Sequence, residues 1–158
     1  MGRFLVTGCA GFIGARTTQQ LLDGGHEVVG LDNLNEAYDR RLKDWRCAQL
    51  EGQSGLKLLK ADITDREALA EVFLDGDFDG VINMAAYAGV HYSVENPWVY
   101  YETNVTGTLN LLEACREAAL ARLEELQIHA EIGGYVCGKN CMVQDGFSNM
   151  RMCSETSQ

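Results

Sequence analysis

Short apolar runs alternate with longer stretches of helical periodicity along the first 118 residues. The apolar runs, each closed by glycine or polar residues, predict buried strands over residues 3–7, 27–31, 56–60 and 80–84. Between and after them, apolar positions three and four residues apart predict helices over residues 12–22, 38–50, 65–74 and 98–119. Strands that alternate with helices indicate an α/β fold, a parallel sheet covered by helices on both faces. Ligands of such sheets bind beyond the carboxyl ends of the strands.

The ends of these elements carry recognisable signals, and the alternation stops near residue 118. Gly24 and Gly25 are predicted to end the first helix. Thr64 is predicted to cap the third helix, because Glu67 follows it at capping-box spacing. Residues 119–131 fit a continuation of the last helix, whereas residues 126–132 alternate enough to form a further strand. We therefore expect one domain over residues 1–119 and an atypical segment over residues 120–158.

Three glycines follow the first strand at three-residue spacing, in the sequence TGCAGFIG. Between a strand and a helix, Gly8 permits a tight turn, Gly11 leaves room for a pyrophosphate, and Gly14 lets the helix pack on the sheet. Phe12 and Ile13 are candidate cofactor-binding residues as well, since the helix N-terminus offers free N–H groups to phosphates. The pattern predicts a Rossmann-type doubly wound sheet of about four to five strands that binds a dinucleotide. A glycine-rich turn without a ligand is the alternative.

An acidic residue ends the second predicted strand, at the distance expected of a dinucleotide site. Asp32 can accept hydrogen bonds from the adenosine ribose, and its charge would repel a 2′-phosphate. The sequence therefore favours NAD over NADP, with Asn33 as a neighbouring candidate. A solvated aspartate at a strand end is the alternative.

The third and fourth predicted strands end in further candidates for the adenosine half of the cofactor. Asp62 and Ile63 offer a polar group and an apolar surface to an adenine ring, although the same residues suit an ordinary helix cap. Ala85 and Ala86 are small enough to let the backbone approach a cofactor, and tight packing would explain them equally well.

Three further stretches resemble one family. They are GLDNLNEAYDRRLKDWR at 30–46, AAYAGVHYSVENP at 85–97 and NVTGTLNLLEACR at 104–116. Together with the TGCAGFIG turn, they resemble the UDP-glucuronate 4-epimerases among the NAD-dependent epimerases and dehydratases, extended short-chain dehydrogenases/reductases. The resemblance implies an isomerase whose NAD takes hydride from C4 of a UDP-sugar and returns it to the other face. It also implies that Asn104 supports the site and that residues 98–119 pack in a homodimer.

Two departures from the family leave the catalytic residues unassigned. His91 stands where relatives commonly have arginine, which puts the identity of the sugar in question. The family's Tyr-x₃-Lys pair is matched only by Tyr135 and Lys139, which lie among glycines with no serine upstream, and no sugar-binding lobe is recognisable. The sequence therefore predicts the NAD-binding portion of a nucleotide-sugar epimerase. The alternative is a catalytically inactive dinucleotide-binding fragment.

Composition restricts the partners. The chain has 158 residues and a net charge of −10, which disfavours nucleic acids and anionic membrane surfaces. Without a signal peptide or a long apolar span, we expect a cytoplasmic location. The six cysteines include a Cys137-x₃-Cys141 pair, but no second pair accompanies it, so free thiols and no metal site are expected.

Overall fold

The computed structural model describes the backbone of residues 1–132 and the side chains of residues 1–124. Four parallel strands form one sheet within these residues: β1 (Arg3–Thr7), β2 (Glu27–Asp32), β3 (Leu56–Lys60) and β4 (Gly80–Asn83). Their order across the sheet is β3-β2-β1-β4. β1 pairs with β2 on one side and β4 on the other, so the strand order reverses at its carboxyl end. The predicted α/β fold with a Rossmann-type parallel sheet is confirmed, and each of these strands lies within one residue of its predicted bounds.

Helices connect the strands and cover both faces of the sheet. They are α1 (Phe12–Asp23), α2 (Arg40–Leu50), α3 (Arg66–Leu74), α4 (Val90–Glu95), α5 (Pro97–Tyr101), a π-helical segment (Glu102–Gly107) and α6 (Thr108–Ile132). The long helix predicted from residue 98 is thus interrupted by the π-helical segment and continues to Ile132. Residues 126–132 are helical and do not form a further strand. The short helix α4 was not predicted, since six residues are too few to establish a helical period.

Asp65, rather than Thr64, caps α3. The Asp65 carboxylate accepts hydrogen bonds from the backbone N–H groups of Glu67 and Ala68, both at 3.1 Å. The Thr64 hydroxyl donates instead to Asp62 at 2.8 Å. The predicted cap was therefore wrong by one residue, because the Thr64 hydroxyl is engaged by Asp62 instead of the helix N-terminus.

The core lies on both faces of the central strands. Leu5 and Leu31 pack on one face with Leu69 of α3 and Leu111 of α6. On the other face, Val6 and its neighbours pack against the inner side of α1. Adjacent strand residues point to opposite faces, so β1 contributes to both clusters. Residues Met1–Ala118 form one compact unit that contains the sheet; the boundary predicted after residue 119 stays a prediction.

The described part of the chain adds three findings about its chemistry. None of its helices combines the length and apolar character that a bilayer crossing requires. Within the same part, no group of three or more His, Cys, Asp or Glu side chains is placed to hold a metal ion. Cys9, Cys47 and Cys115 are free thiols. Tyr135 and Lys139, like the remaining cysteines, lie outside the described residues.

Candidate functional site

A cleft opens at the carboxyl ends of the strands, where the sheet order reverses. The glycine turn and the segments that follow β2, β3 and β4 form its walls. Among the predicted site residues, those that line it are Gly8, Gly11, Asp32, Asn33, Asp62, Ile63, Ala85 and Ala86. Parallel strands thus bring together residues that are up to 78 positions apart, between Gly8 and Ala86.

The glycine turn allows two backbone segments to approach it closely. Gly8 has a φ of +65°, and a Cβ there would lie 2.6 Å from the carbonyl carbon and oxygen of Met84. A Cβ on Gly14 would overlap the carbonyl oxygen of Gly8 and lie 2.8 Å from its carbonyl carbon. Gly8 therefore permits the approach of the segment after β4, and Gly14 permits the approach of α1.

The N-terminus of α1 is open toward the same turn. Gly11 is its N-cap residue, and no side chain caps it. Its own N–H donates to the Gly8 carbonyl at 2.9 Å, which closes the turn. The first N–H groups of a helix have no partner within it, and together with the helix dipole they favour an anion. The backbone here fits a diphosphate group.

Four predicted residues do not line the cleft with their side chains. Phe12 and Ile13 are 80% and 63% exposed, so any contact with phosphate would come from their backbone N–H groups. Gly14 is buried behind the turn. Asn104, in the π-helical segment, acts on the loop after β4: its Oδ1 accepts from the Tyr87 N–H at 2.8 Å, and its Nδ2 donates to the Tyr87 carbonyl at 3.0 Å.

Asp32 is buried at the end of β2, with both carboxylate oxygens in hydrogen bonds. Its Oδ2 accepts from the backbone N–H of Ala10 in the glycine turn at 3.1 Å. Its Oδ1 accepts from the Leu34 N–H at 2.8 Å and from the Lys43 ammonium at 3.1 Å. The carboxylate thus links the glycine turn, the loop after β2 and helix α2.

Lys43 is the main site residue that the sequence analysis missed. Both partners of the Lys43–Asp32 ion pair have side chains that are only 7% exposed. The ammonium also donates to Asn35 Oδ1 at 2.9 Å and lies 5.5 Å from the centre of the Tyr38 ring. Asn35 and Tyr38 line the cleft as well. No sequence signal separates Lys43 from the arginines three positions before and after it, because all lie on a polar helix.

Asp62 is held at the end of β3 by its neighbours. Its Oδ2 accepts from Asn33 Nδ2 at 2.7 Å, and its Oδ1 accepts from the Thr64 backbone N–H and hydroxyl. Partial burial acts to raise the pKa of Asp62, but the hydrogen bonds from Asn33 and Thr64 outweigh it and hold that pKa below its ordinary value. Asp62 is therefore a fixed anion at the cleft near neutral pH.

The loop after β4 is fixed from both sides. The buried hydroxyl of Thr7 accepts from the N–H groups of Met84 and Ala85 at 3.1 and 3.2 Å. The Tyr100 hydroxyl donates to the Gly89 carbonyl at 2.8 Å. Tyr87 lines the cleft on this loop, and partial burial, followed by the nearby Tyr92, raises its pKa above the ordinary value. Its phenol therefore stays protonated near neutral pH.

Comparison with known proteins gives relatives for most of the described residues. The sequence model of GDP-mannose 4,6 dehydratase matches residues 5–130. A UDP-glucuronate 4-epimerase of Thermodesulfobacterium geofontis is 49% identical over 123 residues, which are 78% of this chain and 38% of that protein. UDP-glucuronate 4-epimerase 4 of Arabidopsis thaliana is 46% identical over 112 residues, 71% of this chain and 25% of that protein.

Solved structures agree with these relatives. The UDP-glucuronic acid 4-epimerase of Bacillus cereus, in complex with UDP-glucuronic acid and NAD, matches with a TM-score of 0.65 and 35% identity over 72% of this chain and 36% of that one. The UDP-glucose 4-epimerase of Thermus thermophilus in complex with NAD matches with a TM-score of 0.62 and 38% identity, over 74% of this chain and 34% of that one.

The matched relatives are much longer than this chain. It spans 38% and 25% of the length of the two curated relatives and about a third of the two solved structures. The family model nevertheless covers most of the chain, and the shared region includes the glycine turn and all four strand ends of the cleft. The resemblance in the sequence is confirmed: this chain belongs to the family of NAD-dependent epimerases and dehydratases.

Proposed function

We propose that this chain binds NAD and is the cofactor-binding portion of a nucleotide-sugar epimerase of the UDP-glucuronate 4-epimerase type. The observation that carries the proposal is the cleft in which the uncapped N-terminus of α1 and the glycine turn lie beside buried Asp32. That set of groups suits the diphosphate and the ribose of one dinucleotide. The NAD bound in the two solved relatives supports the same assignment.

Each wall of the cleft has a defined task in this proposal. The backbone at Gly8 and Gly11 binds the diphosphate, and Asp32 accepts from the adenosine ribose. The adenine ring lies against Asp62 and Ile63. The backbone at Ala85 and Ala86 approaches the linking phosphates. When bound, NAD supplies the hydride acceptance and return that epimerisation at C4 of a UDP-sugar requires. We expect NAD to bind more tightly than NADP, because a 2′-phosphate has no hydroxyl hydrogen to donate to Asp32.

The alternative proposal is a dinucleotide-binding fragment without turnover. The observation that favours it is the extent of the match, which ends at residue 130 and covers about a third of the solved relatives. The Tyr135–Lys139 pair lies beyond that match. A UDP-sugar substrate, a homodimer and a cytoplasmic location are further proposals that follow from the family relationship.

Calorimetric titration of the 158-residue chain with NAD tests the shared part of both proposals. We expect saturable binding at one site. Gly11→Ala should weaken it at least tenfold, because the added methyl group occupies the turn that faces the diphosphate. Gly24→Ala is a matched control at the other end of α1. Gly24 is a cap residue with a negative φ, as Gly11 is, and a Cβ there would lie 3.2 Å from the nearest atom, in the His26 side chain. We expect it to change NAD affinity less than twofold. A folded parent that does not bind NAD would refute the proposal.

Turnover separates the two proposals. The chain is incubated with NAD and UDP-glucuronate, and the C4 epimer is measured by chromatography. Formation of the epimer, lost in Tyr135→Phe, would establish the enzyme and its proton-transferring residue together. Binding of NAD without any epimer would establish the inactive fragment.

A further inference from the structure

The carbonyl of Ala10, in the glycine turn, accepts a hydrogen bond from a side chain of α2. Arg46 donates to it through one guanidinium nitrogen at 3.1 Å. Ala10 is fully buried, and among the described residues its carbonyl accepts from Arg46 alone. A buried carbonyl without a partner is unfavourable. Arg46 therefore satisfies a group of the turn that the backbone leaves unpaired.

Aromatic rings hold the guanidinium of Arg46 at the turn. Its central carbon lies 5.9 Å from the centre of the Phe12 ring and 5.7 Å from the centre of the Tyr38 ring. The nitrogen that donates to Ala10 also donates to the Tyr38 hydroxyl at 2.9 Å. Within the described part of the chain, no carboxylate forms an ion pair with Arg46. Cation–π contacts therefore orient this arginine, and the exposed ring of Phe12 supplies one of them.

The hydrogen bond from Arg46 fixes the orientation of one peptide unit. Its carbonyl belongs to Ala10, and its N–H belongs to Gly11 and donates to the Gly8 carbonyl at 2.9 Å. Because Gly11 has no Cβ, its own backbone restricts the rotation of this peptide only weakly. Rotation would break the bond that closes the turn and would place a carbonyl oxygen where the N–H now stands. Gly11 lines the cleft, so that oxygen would repel a diphosphate.

We propose that Arg46 is a positioning residue that holds the Ala10–Gly11 peptide in the orientation in which the glycine turn binds a diphosphate. The assignment rests on the proposed binding of NAD. Arg46 is not among the described residues that line the cleft, so it acts on the cofactor through the turn and not by contact. It gives α2 a part in a binding site whose backbone lies 36 positions earlier in the chain.

Hydrogen exchange of the free chain, followed residue by residue by NMR, tests the fixed peptide. In Arg46→Met, the protection of the Gly11 amide should fall about tenfold relative to that of Val28, whose amide is hydrogen-bonded between β2 and β3. A general loss of stability would lower the protection of both amides together. The control is Arg40→Met, which makes the same change on the same helix at an exposed arginine paired with Asp44 at 3.6 Å. It should leave the ratio unchanged within twofold.

Calorimetric titration with NAD tests the consequence for binding. Arg46→Met should bind NAD about tenfold more weakly than the parent, as for the loss of one hydrogen bond to a charged group, and Arg40→Met should bind it within twofold. This loss should be equal within twofold in about 0.1 M and about 1 M sodium chloride, where the Debye length is about 10 Å and about 3 Å. A loss that disappears at high salt would mean that Arg46 attracts the diphosphate by its charge, and would overturn the positioning role.

Circular dichroism checks the fold of each variant. If Arg46→Met does not fold, Phe12→Leu takes its place, because it removes one ring beside the guanidinium and keeps an apolar side chain. The same two losses are then expected, each about threefold. An unchanged Gly11 ratio or an unchanged NAD affinity, in the variant that folds, would overturn the inference while leaving the proposed NAD binding intact. No NAD binding by the folded parent would overturn the proposed function, and with it the role of Arg46 in binding a diphosphate, whatever the Gly11 amide shows.

Discussion

The close contact between α1 and the glycine turn makes Gly14→Ala the sharpest test of the site geometry. The substitution adds a single methyl group in a helix, where alanine is ordinarily the better residue. Here the added Cβ would overlap the Gly8 carbonyl oxygen and come within 2.8 Å of the Gly8 carbonyl carbon and 3.1 Å of Cys9 Cα. All three atoms belong to the backbone, so no side-chain rotation relieves the overlap. The helix must move away from the turn, or the turn must deform.

Two opposing effects set the expected magnitude. Overpacking of this kind costs about 1–3 kcal/mol, and backbone contacts place Gly14 at the upper end. Replacing glycine by alanine inside a helix returns roughly 1 kcal/mol. The net expectation is a loss of about 2 kcal/mol in the free energy of unfolding. With a urea m-value of about 2 kcal/mol/M, the unfolding midpoint falls by about 1 M.

Urea unfolding followed by circular dichroism measures this loss, and NAD titration measures its effect on the site. A helix N-terminus contributes about 1 kcal/mol or more to a bound anion, so its displacement should weaken NAD binding about tenfold. Gly24→Ala serves as the control, with a Cβ that meets no atom closer than 3.2 Å, and should shift the unfolding free energy by less than about 1 kcal/mol. If Gly14→Ala unfolds at the same urea concentration as the parent, the contact between α1 and the turn is not as described.

Three further predictions test other parts of the structure. Burial, followed by the charge of Asp32, raises the pKa of the Cys9 thiol to about 12. Iodoacetamide at pH 8.5 should therefore leave Cys9 unmodified in the folded protein and label it in urea, which peptide mapping measures. Because the unfolded thiol ionises first, stability should also fall as the pH rises from about 9 toward 12. Asn104→Ala removes both hydrogen bonds to Tyr87 and should lower the free energy of unfolding by about 1–2 kcal/mol, and Asn104→Asp should be intermediate because it keeps the acceptor. Equal stability of all three proteins in urea would contradict a stabilising role for these two hydrogen bonds. If the chain dimerises through residues 98–119, Leu112→Glu on the exposed side of α6 should yield monomers in sedimentation velocity, and a monomeric parent would refute the dimer.

Local signals sufficed for the sheet and for the glycine turn. The strands are short apolar runs bounded by glycine or polar residues, and their period and boundaries depend on nearby sequence. The role of Gly8 follows from the turn between β1 and α1, and its φ of +65° agrees with that expectation. The π-helical segment at Glu102–Gly107 could not be predicted, because it depends on packing: a Cβ on Gly107 would lie 2.7 Å from the Ile63 side chain.

Lys43 shows why the remainder of the site lies beyond sequence reasoning. Lys43 lies on the same polar helix as exposed Arg40 and half-buried Arg46, and only the approach of α2 to the end of β2 buries its ammonium against Asp32. Nothing within the helix itself specifies that approach. The sequence analysis consequently treated Asp32 as a lone charge, whereas the structure shows an ion pair without net charge. The expected preference for NAD over NADP then depends on hydrogen bonds to the ribose and not on repulsion of a 2′-phosphate.

The polar groups of the cleft hold one another in place before any ligand arrives. Lys43 joins α2 to Asp32 and Asn35 at the end of β2. One hydrogen bond, from Asn33 to Asp62, joins the loops after β2 and β3. Ordering flexible side chains on binding costs about 0.5–1.5 kcal/mol each, and groups already held in position avoid most of that loss. A cofactor can therefore add hydrogen bonds to oriented partners without first breaking many. If the chain binds NAD as proposed, the four strand ends and α2 would together give the adenosine half of the cofactor a preorganised surface.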